Sequence, residues 1–285
     1  MKRLKIRYKL IAPVSHIGEV ASTGSYFQTI KTANGRLPII TANSVRGTLR
    51  DCAARFLLDH LGCKVDKEIF HILFSGGNLN GTVKMDVGKA KAVREHLPMV
   101  SIFGSGLGDM ILAGKMAVGN LYPVCKESYN ITGIESEKSW KNFIEEIEYT
   151  RTDDGKNDEL VKYIDNPEAE KTAKASTQMR YSVQYLSPGV ELVQEIILYD
   201  NITELETGAL MAAFETWFTM PKLGGMANKG FGFFDADTNF GLSVSKGEIT
   251  RTDRCSSMIS AYKLFVESEG VSCLLVLGRT KNGKK

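Results

Sequence analysis

Between residues 20 and 50 the chain carries Lys31, Arg36, Arg46 and Arg50 and not one Asp or Glu. Cations left without counter-ions over so long a run call for negative charge from outside it, and a phosphate backbone supplies that charge. Arg46 and Arg50 stand four residues apart in the first turns of a predicted helix. There they repel each other by about 0.2–0.5 kcal/mol and lie at the positive end of the helix dipole. A bound anion reverses both signs. Asn43 or Ser44 can cap the helix, and Ser44 with Gly47 allows close approach, so the helix start reads as a phosphate seat. The simpler alternative is that the long arginines only reach into water.

A second stretch with chemical content spans residues 221–234, where Gly224, Gly225, Gly230 and Gly232 bracket Met226, Asn228, Lys229 and Phe231. Glycines leave backbone N–H groups uncovered and tolerate positive φ, which a phosphate-cradling nest requires. A glycine-rich hairpin leading into a last strand is the alternative. Tyr26 and Phe27 lie among basic and hydroxyl neighbours and suit either base stacking or core packing. The glycines of residues 102–108 are spaced like those of a dinucleotide loop. They lack the strand-to-helix context and an acid about 20 positions on, so they read as a turn.

These groups need elements to hold them. Leu4, Ile6, Tyr8 and Leu10 alternate with Lys5, Arg7 and Lys9, which predicts a half-buried strand over residues 2–12. Val45, Leu49, Cys52, Ala53, Phe56, Leu57 and Leu61 recur at spacings of three and four, which predicts the arginine-bearing helix over residues 43–61. Further expectations are a short helix over 67–74, strands over 82–87 and 116–124, and a helix over 140–147. Residues 149–177 read as a polar insertion. A strand over 190–199 leads to a capping box, Thr203 with Glu206, that starts a helix with Leu205, Ala209, Ala213 and Trp217 on one stripe. A C-terminal helix over 253–268 and a strand over 271–277 complete the reading. The order fits an α+β chain with a ferredoxin-like or RNA-recognition-motif core carrying large insertions.

Composition narrows the function. Net charge is +3, but residues 1–50 hold nine Lys or Arg against Glu19 alone, whereas residues 131–171 hold twelve acids against six bases. The basic end looks suited to nucleic acid and the acidic segment to solvent or a basic partner. Five scattered cysteines and four histidines show neither CxxC nor HExxH spacing. That argues against a disulfide framework and a zinc site, and for a reducing cytoplasm. Charges interrupt every apolar run near the start, so neither a secretory signal nor a membrane span is expected.

The spaced landmarks carry a resemblance. The first strand running into Ser15-His16-Ile17-Gly18-Glu19, then residues 38–50, then Ile102-Phe103-Gly104, then Gly224-Gly225 through Lys229-Gly230-Phe231-Gly232, together resemble the CRISPR RAMP superfamily. More narrowly they resemble the repeated backbone subunit of class 1 effector complexes, and the Ser-His-x-Gly-Glu loop favours the type IV branch over type III. The resemblance implies one RAMP domain over residues 1–285. Its core would take about 1–62, 110–125 and 188–240, with a finger-like insertion over about 63–109 and a thumb over about 126–187. The C-terminal helix and strand would fall at about 250–278.

It also implies a function. Subunits of this kind stack head to tail along guide RNA, grip its backbone and present it to a target nucleic acid beside other effector subunits. Carried over by position, Asn43, Ser44, Arg46 and Arg50 and the loop residues Gly224, Gly225, Met226, Asn228, Lys229 and Phe231 become guide contacts. Lys31 joins them from the acid-free run, His16 is a rim contact, and Gln178, Met179 and Arg180 mark the thumb tip or root. No cofactor or metal is called for. Type III subunits that cut target RNA carry an Asp in a window that here has no carboxylate, so a non-catalytic scaffold is expected. The alternatives are a guide-processing endoribonuclease with His16 as general base and Lys229 stabilising the developing charge, or a type III-like backbone subunit that cleaves target RNA.

Overall fold

The computed structural model describes residues 1–21, 24–77, 79, 87–151 and 179–275. At its centre lies a sheet in which every pairing is antiparallel. Its strand order from one edge is Glu248–Arg251, Leu242–Ser245, Phe234–Thr238, Lys2–Leu10, Glu191–Leu198 and Met116–Val118, with Tyr122–Pro123 also pairing Glu191–Leu198. Taken in chain order, the strands Lys2–Leu10, Met116–Val118, Glu191–Leu198 and Phe234–Thr238 and the helices Ala42–Leu61 and Glu204–Phe218 run strand, helix, strand, strand, helix, strand. The first strand sits between the third and the fourth, which is the ferredoxin-like arrangement.

The first strand takes the place its alternation predicts. Leu4, Ile6, Tyr8 and Leu10 are fully buried and the intervening residues are exposed. Tyr8 packs its ring edge-on to Phe234 at 5.2 Å between centroids and lies 6.1 Å from Trp217 of the second core helix. Burying such a side chain contributes about 1.5–3 kcal/mol. The other sheet face is open and internally neutralised. Arg3 bonds Glu195 at 2.8 Å, Lys5 stands opposite Glu195, Arg7 opposite Asp237, and Lys9 between Glu191 and Asp235.

The helix Glu204–Phe218 starts with the expected capping box: the Glu206 N–H donates to Thr203 Oγ1 at 3.2 Å and the Thr203 N–H to Glu206 Oε2 at 2.7 Å. The helix Ala42–Leu61 is held differently from expectation, because Thr41, not Asn43 or Ser44, is its N-cap and no side chain of its own caps it. Its C-terminus closes on Gly62 in the left-handed conformation, φ 58°.

Several elements differ from the sequence reading. Residues 67–74 form a helix, Lys67–Phe70, that widens into a π-helical turn over His71–Ser75. Of the expected strand at 82–87, residues 82–86 lie outside the described residues and Val87 opens a helix, Val87–His96. Residues 98–103 are helical, with Pro98 in the first turn and Gly104 at the end. The expected helix at 140–147 is a single 3-10 turn, Trp140–Asn142, followed by a strand, Ile144–Arg151. Pairing with Met179–Leu186 overrides the helix-forming Glu145, Glu146 and Glu148. The expected strand at 271–277 is the end of one long helix, Asp253–Leu275. Gly270 does not break that helix; a Cβ there would meet Leu61 Cδ2 at 1.9 Å, so its absence admits Leu61.

A second, four-stranded sheet runs Ile144–Arg151, Met179–Leu186, Gly24–Phe27 and Ile17–Ala21, and a separate two-stranded ribbon pairs Thr29–Thr32 with Gly35–Pro38. No described helix is long and apolar enough to cross a membrane.

Candidate nucleic-acid interface

Three consecutive residues after the first strand stitch the candidate site together. Val14 exchanges backbone hydrogen bonds with Leu186 at the root of the Ile144–Leu186 hairpin, at 3.0 and 2.8 Å. Ser15 O accepts from the Gly225 N–H at 2.7 Å. His16 Nε2 accepts from the Thr41 N–H at 3.2 Å and lies 3.1 Å from Thr41 Oγ1. One short segment therefore joins the hairpin, the glycine-rich loop and the start of the arginine-bearing helix.

Because Nε2 accepts from a backbone N–H, the proton of the neutral ring sits on Nδ1. Burial holds the His16 pKa below its ordinary value, favouring that neutral form. The helix's next donor, the Ala42 N–H, is taken by Asn120 Oδ1 at 2.8 Å. Two backbone donors at the start of this helix are thus satisfied within the chain. Asn43 is exposed and Ser44 half-buried.

The arginines are a correction of another kind. Arg50 is 7% exposed, and its Nη2 donates to Phe103 O at 3.1 Å and Gly104 O at 3.0 Å. Arg46 Nη2 donates to the same Phe103 oxygen. Those oxygens lie at the C-terminal end of the helix Pro98–Phe103, where the dipole is negative. The anion that this pair demands is the end of another helix, reached across 50 residues of sequence with no local sign. Burial first, then the charge of Arg46, pulls the Arg50 pKa down to about 10. Its guanidinium carbon lies 5.5 Å from the Phe103 ring centre, and Nη1 lies 2.8 Å from where a Cβ on Gly76 would be. Arg50 is therefore an internal brace and not a surface contact, whereas Arg46 remains half-buried.

In the glycine-rich loop the close approach is real. Gly224 has φ 71°, and a Cβ on it would stand 2.2 Å from Ser15 O. Met226 takes the left-handed conformation at φ 60°, unusual for a side-chain-bearing residue, and leads into a 3-10 turn, Ala227–Lys229. Gly224, Gly225, Asn228 and Lys229 are exposed, but Phe231 is buried, edge-on to Tyr185 at 5.9 Å, and belongs to the core. Lys229 Nζ lies 4.0 Å from the ring centre of Tyr149 and 4.9 Å from that of Tyr181, and bonds the Tyr181 hydroxyl. The two tyrosines stack at 5.3 Å, so the lysine docks the hairpin onto the loop.

Gln178 falls outside the described residues, and Met179 and Arg180 begin the second arm of that hairpin. Arg180 is exposed and lines a cleft of about 260 Å³ with Tyr26, Glu146, Glu148, Tyr181 and Ser182. Lys31 is exposed on the two-stranded ribbon. The sequence reading missed Thr41, Asn120, Tyr149 and Tyr181. Only the tyrosine pair had a signal, two aromatics flanking a polar insertion.

Comparison with known proteins decides the family. Residues 7–235 match the model of the RAMP superfamily. The chain belongs to that superfamily. No curated protein matches this RAMP protein. Among solved structures it is similar to a chain of a "Type IV-B CRISPR Complex", with a TM-score of 0.63 and 16% identity, over 84% of this chain and 90% of that one. At that identity the likeness is one of fold, and it agrees with the strand order described above.

Proposed function

We propose that this RAMP protein is a non-catalytic backbone subunit of a class 1, type IV-like CRISPR ribonucleoprotein. Copies stack head to tail along a guide RNA, hold its phosphate backbone and present its bases to a target strand alongside other effector subunits. The observation that carries the reading is the RAMP match over residues 7–235 on a fold shared with a chain of a type IV-B CRISPR complex. The site supports it. The glycine-rich loop that carries Gly224, Gly225, Asn228 and Lys229 is tied to Ser15 through Gly225, and the helix start that carries Asn43 and Ser44 is tied to His16 through Thr41, with Lys31 on the adjoining ribbon.

Two further observations favour a scaffold over an enzyme. His16 Nε2, the nitrogen a general base would use, already accepts from Thr41, and residues 20–50 provide no carboxylate. Backbone recognition of this kind is largely independent of sequence and weakens steeply with salt.

The test is purification without nuclease, followed by sizing and incubation of any bound RNA and of added repeat RNA at pH 7. Large particles holding protected RNA of regular length are expected, with the added RNA left uncut. A monomer free of RNA would overturn the scaffold. Repeat cleavage lost in His16→Ala would replace the scaffold with the processing endoribonuclease.

A further inference from the structure

The acid-free run contains two pairs of cations, and the structure answers only one of them. Arg46 and Arg50 meet the carbonyls of Phe103 and Gly104. Lys31 and Arg36 stand directly opposite each other on the ribbon formed by Thr29–Thr32 and Gly35–Pro38. Directly opposed side chains of an antiparallel pair have Cβ atoms about 4.5–5.5 Å apart, and like charges there are destabilising. Both residues are exposed, and among the described residues neither takes part in an ion pair.

The ribbon is built to hold that unfavourable pair in place. Thr32 Oγ1 donates to Gly35 O at 2.8 Å and accepts from the Asn34 N–H at 3.2 Å, closing the turn. Arg36 Nη1 donates to Thr29 Oγ1 at 3.3 Å, which orients the guanidinium. Side chains alternate between the two faces of a strand. The register therefore puts Lys31 and Arg36 on one face of the ribbon, with Ile30 and the fully buried Leu37 on the other. The root lies in the candidate interface: the Gln28 N–H donates to His16 O at 2.7 Å and the Ile39 N–H to Gln28 O at 3.0 Å, two residues before Thr41.

We propose that Lys31 and Arg36 form a two-pronged clamp for a phosphate of a nucleic-acid backbone, projecting from the His16–Thr41 junction. The inference rests on the guide-RNA reading above and adds to it a paired site that includes Arg36. An oxyanion between the prongs turns their repulsion into two charge-assisted hydrogen bonds. The phosphate belongs either to the guide or to the strand that pairs with it, and recognition is independent of sequence.

The test compares the wild-type chain with the double variant Lys31→Gln, Arg36→Gln and with Lys31→Glu. One arm measures binding of single-stranded RNA against salt; the other measures binding of a complementary strand by guide-loaded particles. The double variant is expected to lose about tenfold in affinity at low salt in one arm, with a slope in log salt smaller by about 0.7–0.9 for each phosphate charge no longer neutralised. The arm that responds names the strand. Lys31→Glu places a carboxylate opposite Arg36, so its Tm should hold or rise while binding in that arm falls. Unchanged affinity and slope in both arms overturns the clamp, as does a binding loss in Lys31→Glu that tracks a fall in Tm. A wild-type chain that binds no RNA overturns the guide reading itself, and the clamp with it.

Discussion

At the scale of single residues, the lesson of Arg50 is that a cation can find its anion in a helix end. The Phe103 and Gly104 carbonyls lack the next turn that would satisfy them, and the guanidinium supplies it. Arg50→Ala should therefore cost about 1.5–3 kcal/mol, the range for hydrogen bonds to a charged group. A drop in Tm of about 3–5 °C would follow for a chain of 285 residues. The salt slope of RNA binding should stay as in the wild type. A variant with normal Tm and a flattened slope would return Arg50 to the RNA-contacting surface. His16 shows the same economy, since its ring nitrogen serves a backbone donor at the helix start. Neither role was legible in the sequence, because residue types and spacing reveal a charge but not an acceptor dozens of residues away.

At the scale of elements, the glycine-rich loop and the hairpin Ile144–Leu186 behave as one unit joined by Lys229, Tyr149 and Tyr181. In a double-mutant cycle Lys229→Met and Tyr149→Leu should show a coupling of about 0.5–1 kcal/mol, as expected for an exposed cation over an aromatic face. Additive effects would mean that the lysine is free to serve RNA alone. Elements with strong periodicity were legible: the first strand, the helix under Val45 and Leu49, the strand before Leu198 and the helix that Thr203 and Glu206 cap. The hairpin arm holding Glu145, Glu146 and Glu148 was not, because its strand form depends on a partner arm beyond the polar insertion. The glycine loop was legible as a place of positive φ, which Gly224, Gly230 and Gly232 adopt. The place of the Phe231 ring, edge-on to Tyr185, was not legible, since an aromatic beside glycines looks the same in sequence whether it is buried or exposed.

At the scale of the whole molecule, the basic character of residues 1–50 is distributed over two surfaces with different fates. On the open face of the central sheet, Arg3, Lys5, Arg7 and Lys9 are matched by Glu191, Glu195, Asp235 and Asp237 from flanking strands. That face carries little net field, so Lys5→Gln with Lys9→Gln should leave the salt slope of RNA binding unchanged. A slope reduced by about 0.7 or more would put the open face on the RNA path. The central position of the first strand also governs how the chain is made. Lys9 pairs with Glu191 on one side and Asp235 on the other. At a synthesis rate of about 5–20 residues per second, a strand already outside the ribosome waits roughly ten to forty seconds for its first partner. Its backbone N–H and C=O groups stay unpaired with another strand throughout that interval. A nascent-chain chaperone holding this strand, or faster codons over residues 126–187, would raise the yield of folded protein while leaving the finished protein unchanged.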